Sequence, residues 1–350
     1  MQEGAETLAV VDDRRFDGHR PRGAHPERPE RLEAARAGLA RAAPADRVVS
    51  IAARPARAGE LEAIHRGEYV AELERILAGG FGYVDPDTYC SPETREAAWH
   101  AAGGAVALAE ALVAGRARRG FALLRPPGHH AEADRAMGFC LLNNVAIAAR
   151  AAQRAGAAKV AIVDWDVHHG NGTQHAFEDD PNVLFVSLHQ WPLYPGTGGP
   201  HEVGTGAGRG RTCNLALPPG GGDEVYAEAF RRVVLPLLRW HEPDLILVSA
   251  GYDAHRRDPL ASMNLSDAAY GAMASALVET AEALGHGRVG FLLEGGYDLH
   301  ALEASVAETA RAALGARTPL PEGRVPAQWK TAIEVTRAAL EDAIGAPLPA

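Results

Sequence analysis

Cysteine is scarce in this 350-residue chain, and its three cysteines, Cys90, Cys140 and Cys213, lie far apart in the sequence. Such spacing argues against a disulfide framework and also against a zinc site made of thiolates. Free thiols persist in a reducing compartment, so we expect the protein to be cytoplasmic.

Long apolar runs and dense basic stretches are also missing. No apolar run is long enough to cross a bilayer, and residues 1–6 lack the basic segment and apolar core of a secretion signal. The formal net charge of −10 argues against a protein that binds nucleic acid by neutralising phosphates. We therefore expect neither a membrane nor a nucleic acid as partner, and we expect Arg28, Arg31 and the short basic segment 116–119 to be solvated.

No repeat, low-complexity tract or hydrophilic linker divides the chain. Hydrophobic residues make up 47% of it, which is enough for one large buried core. Two smaller domains are the alternative, but no shift in composition marks a boundary between them. We predict a single domain over residues 1–350.

Short apolar runs alternate with helical stretches along the chain. Strands that are apolar on both faces are typical of a mostly parallel sheet covered by helices on both sides. The glycine-rich segment 204–210 suits a flexible turn, because its spacing matches neither a dinucleotide-binding nor a phosphate-binding loop. Residues 224–240 are predicted to form one long amphipathic helix. The predicted core strands lie at about residues 7–11, 121–124, 159–163, 183–188, 244–250 and 288–293.

Polar side chains follow four of these apolar runs at the point where each run ends. Taken alone, an aspartate and a histidine two residues apart more often cap a helix or a loop, and a histidine pair is as often solvated. Repetition at several strand ends favours one shared site, because ligands bind beyond the carboxyl ends of the strands in such sheets. The residues concerned are His129, His130, Asp164, Asp166, His168, Asp253 and Tyr297.

Three of these residues have the chemistry of a catalytic metal site. Asp166, His168 and Asp253 offer one imidazole and two carboxylates, a set that suits zinc or ferrous iron and leaves positions open for water and substrate. A metal held in this way polarises a carbonyl group and acidifies its bound water. General acid–base and oxyanion-stabilising roles then suit His129, His130 and Tyr297.

These motifs resemble those of the zinc-dependent histone deacetylases, and most closely those of the class II-like bacterial deacetylases and acetylpolyamine amidohydrolases. The resemblance implies a three-layer arginase/deacetylase α/β fold and the removal of acetyl or another short acyl group from the ε-amine of lysine or a similar amine. It also implies Zn²⁺ as the catalytic metal, with Fe²⁺ as the alternative. It extends from about residue 11 to residue 314 and rests on segments 125–130, 138–140, 164–173, 187–189, 194–198, 249–253 and 294–297.

The resemblance implies a role for each residue of the site. A substrate channel for the acylated side chain is expected beside Gly138, with Phe139 and Tyr194 as its aromatic walls. A structural potassium ion is also implied, held by the backbone around Asp164, Asp166, His168, Ser187 and Leu188. The implied catalytic roles are zinc ligation by Asp166, His168 and Asp253, acid–base catalysis by His129 and His130 with Asp164 orienting His129, and transition-state stabilisation by Tyr297.

Four positions refine the expected activity. Asn171 stands where class I members carry an aspartate beside the second histidine, and a neutral partner stabilises a charged imidazole less than a carboxylate does. Tyr297 stands where weakly active members have histidine, which implies an active enzyme. Leu260 stands where polyamine-selective members have glutamate, which weakens the case for a polyamine substrate, and Asp87 is similar in position to a rim residue that grips the substrate.

Three other functions remain as alternatives. An acetylpolyamine amidohydrolase shares the chemistry, and an arginase-like ureohydrolase shares the architecture but needs bridging carboxylates that neither 170–171 nor 255–256 provides. A non-catalytic acetyl-lysine binder is disfavoured by the retention of Tyr297 and both histidines. The expected partner is an acetylated lysine peptide or protein, or a small acetylated amine, and a homo-oligomer is left open.

Overall fold

The computed structural model describes residues 6–349, and ten strands lie within that part of the chain. Eight of them form one sheet and two form a separate short pair. The strands are β1 (Leu8–Val11), β2 (Val48–Ser50), β3 (Gly82–Tyr83), β4 (Tyr89–Cys90), β5 (Arg119–Ala122), β6 (Val160–Asp164), β7 (Val183–Gln190), β8 (Thr212–Leu217), β9 (Leu245–Ala250) and β10 (Val289–Leu293).

Helices make up most of the remaining regular structure. Short 3₁₀ helices cover Arg14–Gly18, Ala45–Arg47 and Gly206–Gly208, and a π-helical turn covers Phe230–Val234. The α-helices are α1 (Glu30–Ala42), α2 (Ala58–Leu61), α3 (Gly67–Leu77), α4 (Thr94–Val113), α5 (Asn144–Arg154), α6 (Asn171–Phe177), α7 (Asp223–Ala229), α8 (Leu235–His241), α9 (Asp267–Ala283), α10 (Leu299–Ala313) and α11 (Ala327–Ile344).

The large sheet has the strand order β2-β1-β5-β10-β9-β6-β7-β8, and all of its neighbouring pairs are parallel. Its middle strands are buried throughout, as strands covered on both faces must be. Helix α4 packs against β1, β5 and β10, and α9 packs against β9 and β10. The prediction of a mostly parallel sheet with helices on both faces is therefore confirmed.

Two glycines let the sheet and α4 come close together. A Cβ atom on Gly120 in β5 would lie 2.4 Å from Cδ1 of Leu108, and one on Gly290 in β10 would lie 2.9 Å from Cδ1 of Leu112. Both leucines belong to the buried face of α4. The missing side chains therefore let the two leucines pack directly on β5 and β10, two of the strands whose ends carry predicted site residues.

One strand was missed, and one predicted helix contains an irregular turn. Residues 212–217, which we did not predict as a strand, form the edge strand β8 beside β7. The helix predicted at 224–240 is helical without a break, but it contains the π-helical turn, which ends two residues before Pro236. Because proline lacks an N–H, the carbonyl four residues earlier loses its usual partner, and an irregular turn accommodates that loss.

The solvated positions predicted for two arginines were also wrong. Arg119 and Arg31 are fully buried, and each has carboxylate partners. Arg119 Nη1 lies 2.8 Å from Glu6, and its Nη2 pairs with Glu282. A buried guanidinium requires such partners, because a lone charge in the interior is very costly.

Two further features concern the cysteines and the apolar character of the helices. All three cysteines are buried and free, as expected of a chain without disulfides. Between residues 6 and 349, no helix combines the length and apolarity needed to cross a membrane.

Candidate metal centre and acyl pocket

The predicted metal ligands lie together at the ends of two adjacent strands. Asp166 and His168 follow β6, Asp253 follows β9, and these two strands pair in parallel. Nδ1 of His168 lies 3.1 Å from Oδ1 of Asp166 and 3.1 Å from Oδ2 of Asp253. One possible ligand atom from each residue lies within 4.8 Å of the others, which is close enough for a single ion to contact all three.

The surroundings of these ligands fit a divalent cation. A Cβ on Gly251 would lie 2.1 Å from Oδ2 of Asp166, and one on Gly295 would lie 2.3 Å from Oδ2 of Asp253, so only glycine leaves the carboxylates their places. Burial raises the pKa of Asp253 to about 7, and the neighbouring Asp166 carboxylate acts in the same direction. A bound cation relieves this repulsion, and zinc and ferrous iron both accept one imidazole and two carboxylates.

Backbone groups orient the two carboxylates. The N–H of Gly295 donates to Oδ2 of Asp166 at 2.8 Å, and the N–H of Val167 donates to Oδ1 of Asp253 at 2.8 Å. Such outer contacts fix the direction of ligand lone pairs before a metal binds. The loop after β10 thus supports the ligands although it supplies none of them.

The two histidines after β5 lie side by side beneath this centre. Their ring centroids are 4.0 Å apart, Nδ1 of His129 is 2.9 Å from Oδ2 of Asp164, and Nδ1 of His130 is 2.8 Å from Oδ1 of Asn171. Burial disfavours the charged form of His129, but the carboxylates of Asp164 and Asp166 outweigh burial and raise its pKa to about 10. The two rings therefore have very different surroundings, one beside a carboxylate and the other beside an amide.

His130 has the opposite electrostatic balance. Burial, followed by the charges of His129 and His168, lowers its pKa well below the ordinary value. Neighbouring titratable groups whose environments push their pKa values apart are typical of acid–base sites. The pair can therefore accept a proton at one ring while the other remains charged.

A cavity of about 220 Å³ opens above the histidines. Its walls include every predicted substrate-binding residue, together with several residues of the catalytic set. The lining residues are Asp87, Pro127, His129, His130, Gly138, Phe139, Cys140, His168, Leu193, Tyr194, Leu260, Gly295 and Tyr297.

Phe139 forms one wall of this cavity in an unusual backbone conformation. Its φ angle is +68°, a region that bulky residues rarely adopt, and its N–H donates to Oγ1 of Thr88 at 3.0 Å. Gly138 before it also has a positive φ, and a Cβ there would lie 2.5 Å from Cδ2 of His130. The turn therefore places the phenyl ring of Phe139 beside the catalytic groups, and it requires glycine at position 138.

Tyr297 lies opposite, with its ring centroid 5.9 Å from that of Phe139. Its N–H donates to Oδ2 of Asp258 at 2.6 Å, and the guanidinium of Arg31 lies 4.9 Å from the centre of its ring. Burial raises the pKa of the Tyr297 phenol well above its ordinary value, so the hydroxyl keeps its proton. It can therefore serve as a neutral hydrogen-bond donor.

Two other predicted groups lie at the edges of the site. Asp87 lines the cavity, and burial with the adjacent Asp85 raises the pKa of its carboxyl group. Ser187 and Leu188 lie in β7, where Ser187 pairs with Asp164 across the sheet, and neither lines the cavity. The residues predicted to hold potassium are therefore neighbours, and potassium binding stays a prediction.

Glu27, a buried residue that we did not predict, holds residues next to the site in place. The carboxylate of Glu27 accepts hydrogen bonds from Tyr89 at 2.8 Å and from Nη2 of Arg125 at 2.7 Å, and it pairs with Arg31 at 3.2 Å. Arg125 directly follows the predicted second strand, so the strand-end rule could have identified it. Glu27 lies in a loop with no such signal.

A histone deacetylase domain model matches residues 25–313 of this chain. That match covers most of the sequence, and the chain belongs to the histone deacetylase family.

Individual relatives support this assignment. The chain is 44% identical over 307 residues to histone deacetylase 15 of Arabidopsis thaliana, which covers 86% of this chain but only 54% of that protein. It is 41% identical over 283 residues to a probable deacetylase of Archaeoglobus fulgidus, covering 80% of this chain and 79% of that protein. A crystal structure of the HDA15 HD domain superposes with a TM-score of 0.89 at 40% identity, over 96% of this chain and 95% of that one.

Proposed function

We propose that this protein is a metal-dependent amidohydrolase that removes acetyl or another short acyl group from the ε-amine of lysine or a similar amine. The observation that carries the proposal is a narrow cavity lined by His129, His130, Tyr297 and the ligand-type residue His168, which is grouped with Asp166 and Asp253. The family supports the same chemistry, and one relative, from Pseudomonas aeruginosa, is named a histone deacetylase-like amidohydrolase at 41% identity over 247 residues.

In this proposal Asp166, His168 and Asp253 hold Zn²⁺, with Fe²⁺ as the alternative. The bound ion supplies Lewis acidity, which polarises the acyl carbonyl and acidifies water. Three protein ligands would leave the ion an open position for water, and a substrate oxygen could bind there as well if the coordination expanded.

The protein groups carry the proton transfers. A water molecule attacks the carbonyl carbon and gives its proton to the His129–His130 pair, whose Nδ1 atoms are engaged by Asp164 and Asn171. The hydroxyl group of Tyr297 donates a hydrogen bond to the developing oxyanion. The C–N bond then breaks, the histidine pair returns the proton to the departing amine, and the products are a carboxylic acid and an amine, which ionise in water to a carboxylate and an ammonium ion.

The cavity walls suit a slender side chain. Phe139 and Tyr194 flank it, Gly138 lets the backbone approach closely, and Leu260 adds an apolar contact. Asp87 offers a carboxylate for a substrate N–H or a cationic group. Leu260 in place of an acidic residue favours an acyl-lysine peptide over an acetylpolyamine.

The two remaining alternatives fit the site less well. A ureohydrolase with two metals needs carboxylates that bridge the two ions. Among residues 6–349 a second group of possible ligands, His129, Cys140 and Glu294, does lie together, but it contains a single carboxylate and shares no residue with Asp166, His168 and Asp253. A pure binder would have no use for a buried histidine pair with separately engaged Nδ1 atoms. Action within a single domain, cytoplasmic location and any homo-oligomer stay predictions.

A turnover assay tests the proposal. The purified protein, loaded with zinc or with iron, is incubated with an acetyl-lysine peptide, acetylputrescine and acetylspermidine, and released acetate is measured. We expect turnover of the peptide, its loss on chelation and its recovery on metal addition. No acetate from any acylated amine, with metal bound at one equivalent, would overturn the proposed function.

A further inference from the structure

The partner of His130 is an amide that itself contacts a carboxylate. Nδ2 of Asn171 donates to Oε1 of Glu132 at 2.6 Å and to the carbonyl of His130 at 3.2 Å, while its Oδ1 faces Nδ1 of His130 at 2.8 Å. A negative charge is therefore present in this network, but the side chain of Asn171 separates it from the imidazole, unlike in a direct histidine–carboxylate pair.

This network defines which end of the amide faces His130. The partners of Nδ2 are two oxygens and, at 3.5 Å, the sulfur of Met137, all of which accept, so Nδ2 points toward them and Oδ1 points toward the ring. An oxygen at that place accepts from Nδ1–H, which leaves Nε2 of the neutral imidazole without a proton. A flipped amide would present N–H groups to Nδ1 and favour the other tautomer.

We propose that Glu132 is a positioning residue for His130, which acts through the amide of Asn171 to hold the imidazole in the tautomer with its proton on Nδ1 and a free Nε2. The inference rests on the proposed function, since it concerns the proton that His130 accepts. Glu132 touches neither the cavity nor the predicted metal ligands.

Glu132 is itself firmly held. It is only 6% exposed, its N–H donates to the carbonyl of Arg135 at 3.0 Å, and its own carbonyl accepts from Nδ1 of His65 at 2.8 Å. Its carboxylate accepts from Nδ1 of His175 at 2.9 and 3.0 Å, and Arg135 lies 3.8 Å away.

These contacts keep the carboxylate charged. Burial alone would raise the pKa of Glu132, but hydrogen bonds from His175 and Asn171 outweigh burial and lower the pKa below its ordinary value. Hydrogen bonds to an ionised acceptor are stronger than neutral ones, so Asn171 is held more firmly than a neutral neighbour would hold it.

The chain offers a matched control on the same helix. Nε2 of Gln174 donates to Oε2 of Glu202 at 2.7 Å, and its Oε1 faces Nε2 of His169 at 2.9 Å. This is a second glutamate–amide–histidine series with the same polarity. His169 does not line the cavity, so Glu202→Gln removes the same charge without reaching the acid–base pair.

A double-mutant cycle tests the inference. The wild type, Glu132→Gln, Asn171→Asp and the double variant are compared for kcat, KM and metal content with an acetyl-lysine peptide, alongside Glu202→Gln. We expect Glu132→Gln to lower kcat by about tenfold with KM and metal content nearly unchanged, and Glu202→Gln to leave kcat close to wild type.

The double variant gives the sharpest result. In Asn171→Asp two carboxylates face each other at the position of a 2.6 Å hydrogen bond, so kcat should fall. Adding Glu132→Gln supplies an amide donor to the new carboxylate, which can then face His130 directly, and kcat should rise again. The same Glu132 substitution is therefore harmful in the wild type and beneficial in Asn171→Asp.

The inference is overturned if Glu132→Gln leaves kcat unchanged, if it costs no more than Glu202→Gln, or if the two substitutions simply multiply. If Glu132→Gln alone does not yield folded protein, the comparison of Asn171→Asp with the double variant decides, and no recovery of kcat overturns the inference. An inactive wild type with metal bound would instead overturn the proposed function, so the two failures are distinguishable.

Discussion

The proposed role of Tyr297 as an oxyanion donor depends on the proton of its hydroxyl group. Its phenol keeps its proton because burial raises its pKa, and its ring is held between Phe139 and the guanidinium of Arg31. Removing the hydroxyl should therefore remove an oxyanion donor and little else.

We predict that Tyr297→Phe lowers kcat by at least ~10², because loss of one preorganised donor to an oxyanion typically has this effect. Metal content should stay at the wild-type ratio, since Tyr297 does not belong to the ligand group. His130→Ala should have an effect of the same order through loss of a proton acceptor. Steady-state kinetics with elemental analysis checks both, and turnover at the wild-type rate would contradict the assigned roles.

Among individual residues, the sequence predicted those site residues that follow a strand closely. His129, Asp166 and Asp253 each lie a few residues beyond an apolar run, and the parallel sheet brings such residues together. Glu132 and Glu27 gave no such signal, because their importance comes from partners far away in the chain. Glu27 bonds Arg125, 98 residues later, and such pairing is invisible to local pattern.

The start of α5 is an element whose stability depends on one neutral histidine. Nε2 of His65 accepts from the N–H of Asn143 at 2.9 Å, and Asn143 caps the helix by accepting from the N–H of Ala146 at 3.0 Å. Burial lowers the pKa of His65 to about 4, although its hydrogen bond to the Glu132 carbonyl opposes this shift. A proton on Nε2 would remove the acceptor that holds Asn143.

We predict that His65→Gln lowers the free energy of unfolding, and that this loss is larger at high pH than at low pH. Because the folded-state pKa lies below the ordinary 6.5, the stability that neutral His65 provides is present above pH 6.5 and is lost as pH falls toward 4. The maximum loss is about 3 kcal/mol at 1.36 kcal/mol per pKa unit. The difference in unfolding free energy between wild type and variant should therefore shrink between about pH 7.5 and about pH 5.

Denaturant titration of both proteins at the two pH values measures this difference. Release of metal at lower pH affects both proteins alike, since His65 is not among the predicted ligands. A wild-type advantage of equal size at both pH values would show that His65 does not titrate as its burial requires.

Element boundaries were harder to predict than element types. The second core strand was predicted at 121–124 and begins instead at Arg119, because a buried arginine does not look like part of an apolar run. Strand β8 was missed because Thr212 and Asn214 interrupt its apolar pattern. Both failures have one cause, which is that these buried polar side chains are counted as exposed when only the local sequence pattern is available.

Across the whole molecule, Glu27 connects three separate regions. It lies in the loop before α1 and holds Arg125 after β5, while its partner Arg31 bonds the carbonyls of Glu294 and Gly296 after β10. Glu27, Arg31 and Arg125 are all fully buried. Loss of the carboxylate would leave two buried cations with too few partners.

We predict that Glu27→Gln lowers the unfolding free energy by about 3 kcal/mol or more, as removal of one partner from a buried ion pair generally does. Glu96→Gln is the matched control, because Glu96 pairs with Arg15 at 2.9 Å while both side chains are largely exposed. That pair should contribute less than about 1 kcal/mol. Equal losses in the two variants, measured by urea denaturation of metal-loaded protein, would contradict this account.

Metal binding should also stabilise the molecule as a whole, because the ligands come from the ends of two neighbouring strands. Asp166, His168 and Asp253 are close together only when β6 and β9 are paired, so a metal that binds all three favours the folded chain. At a free metal concentration of about 1,000 times the dissociation constant, this linkage amounts to roughly 4 kcal/mol.

We therefore predict that chelation lowers the midpoint of urea denaturation and that added zinc restores it. The expected stabilisation has an electrostatic origin, since a bound cation offsets both the burial and the repulsion from Asp166 that raise the pKa of Asp253 to about 7. In Asp166→Ala the same zinc should produce little shift, because one ligand and its charge are gone, whereas Tyr297→Phe should respond like the wild type. A zinc-dependent shift that survives in Asp166→Ala would mean that the stabilising ion binds somewhere other than the ends of β6 and β9.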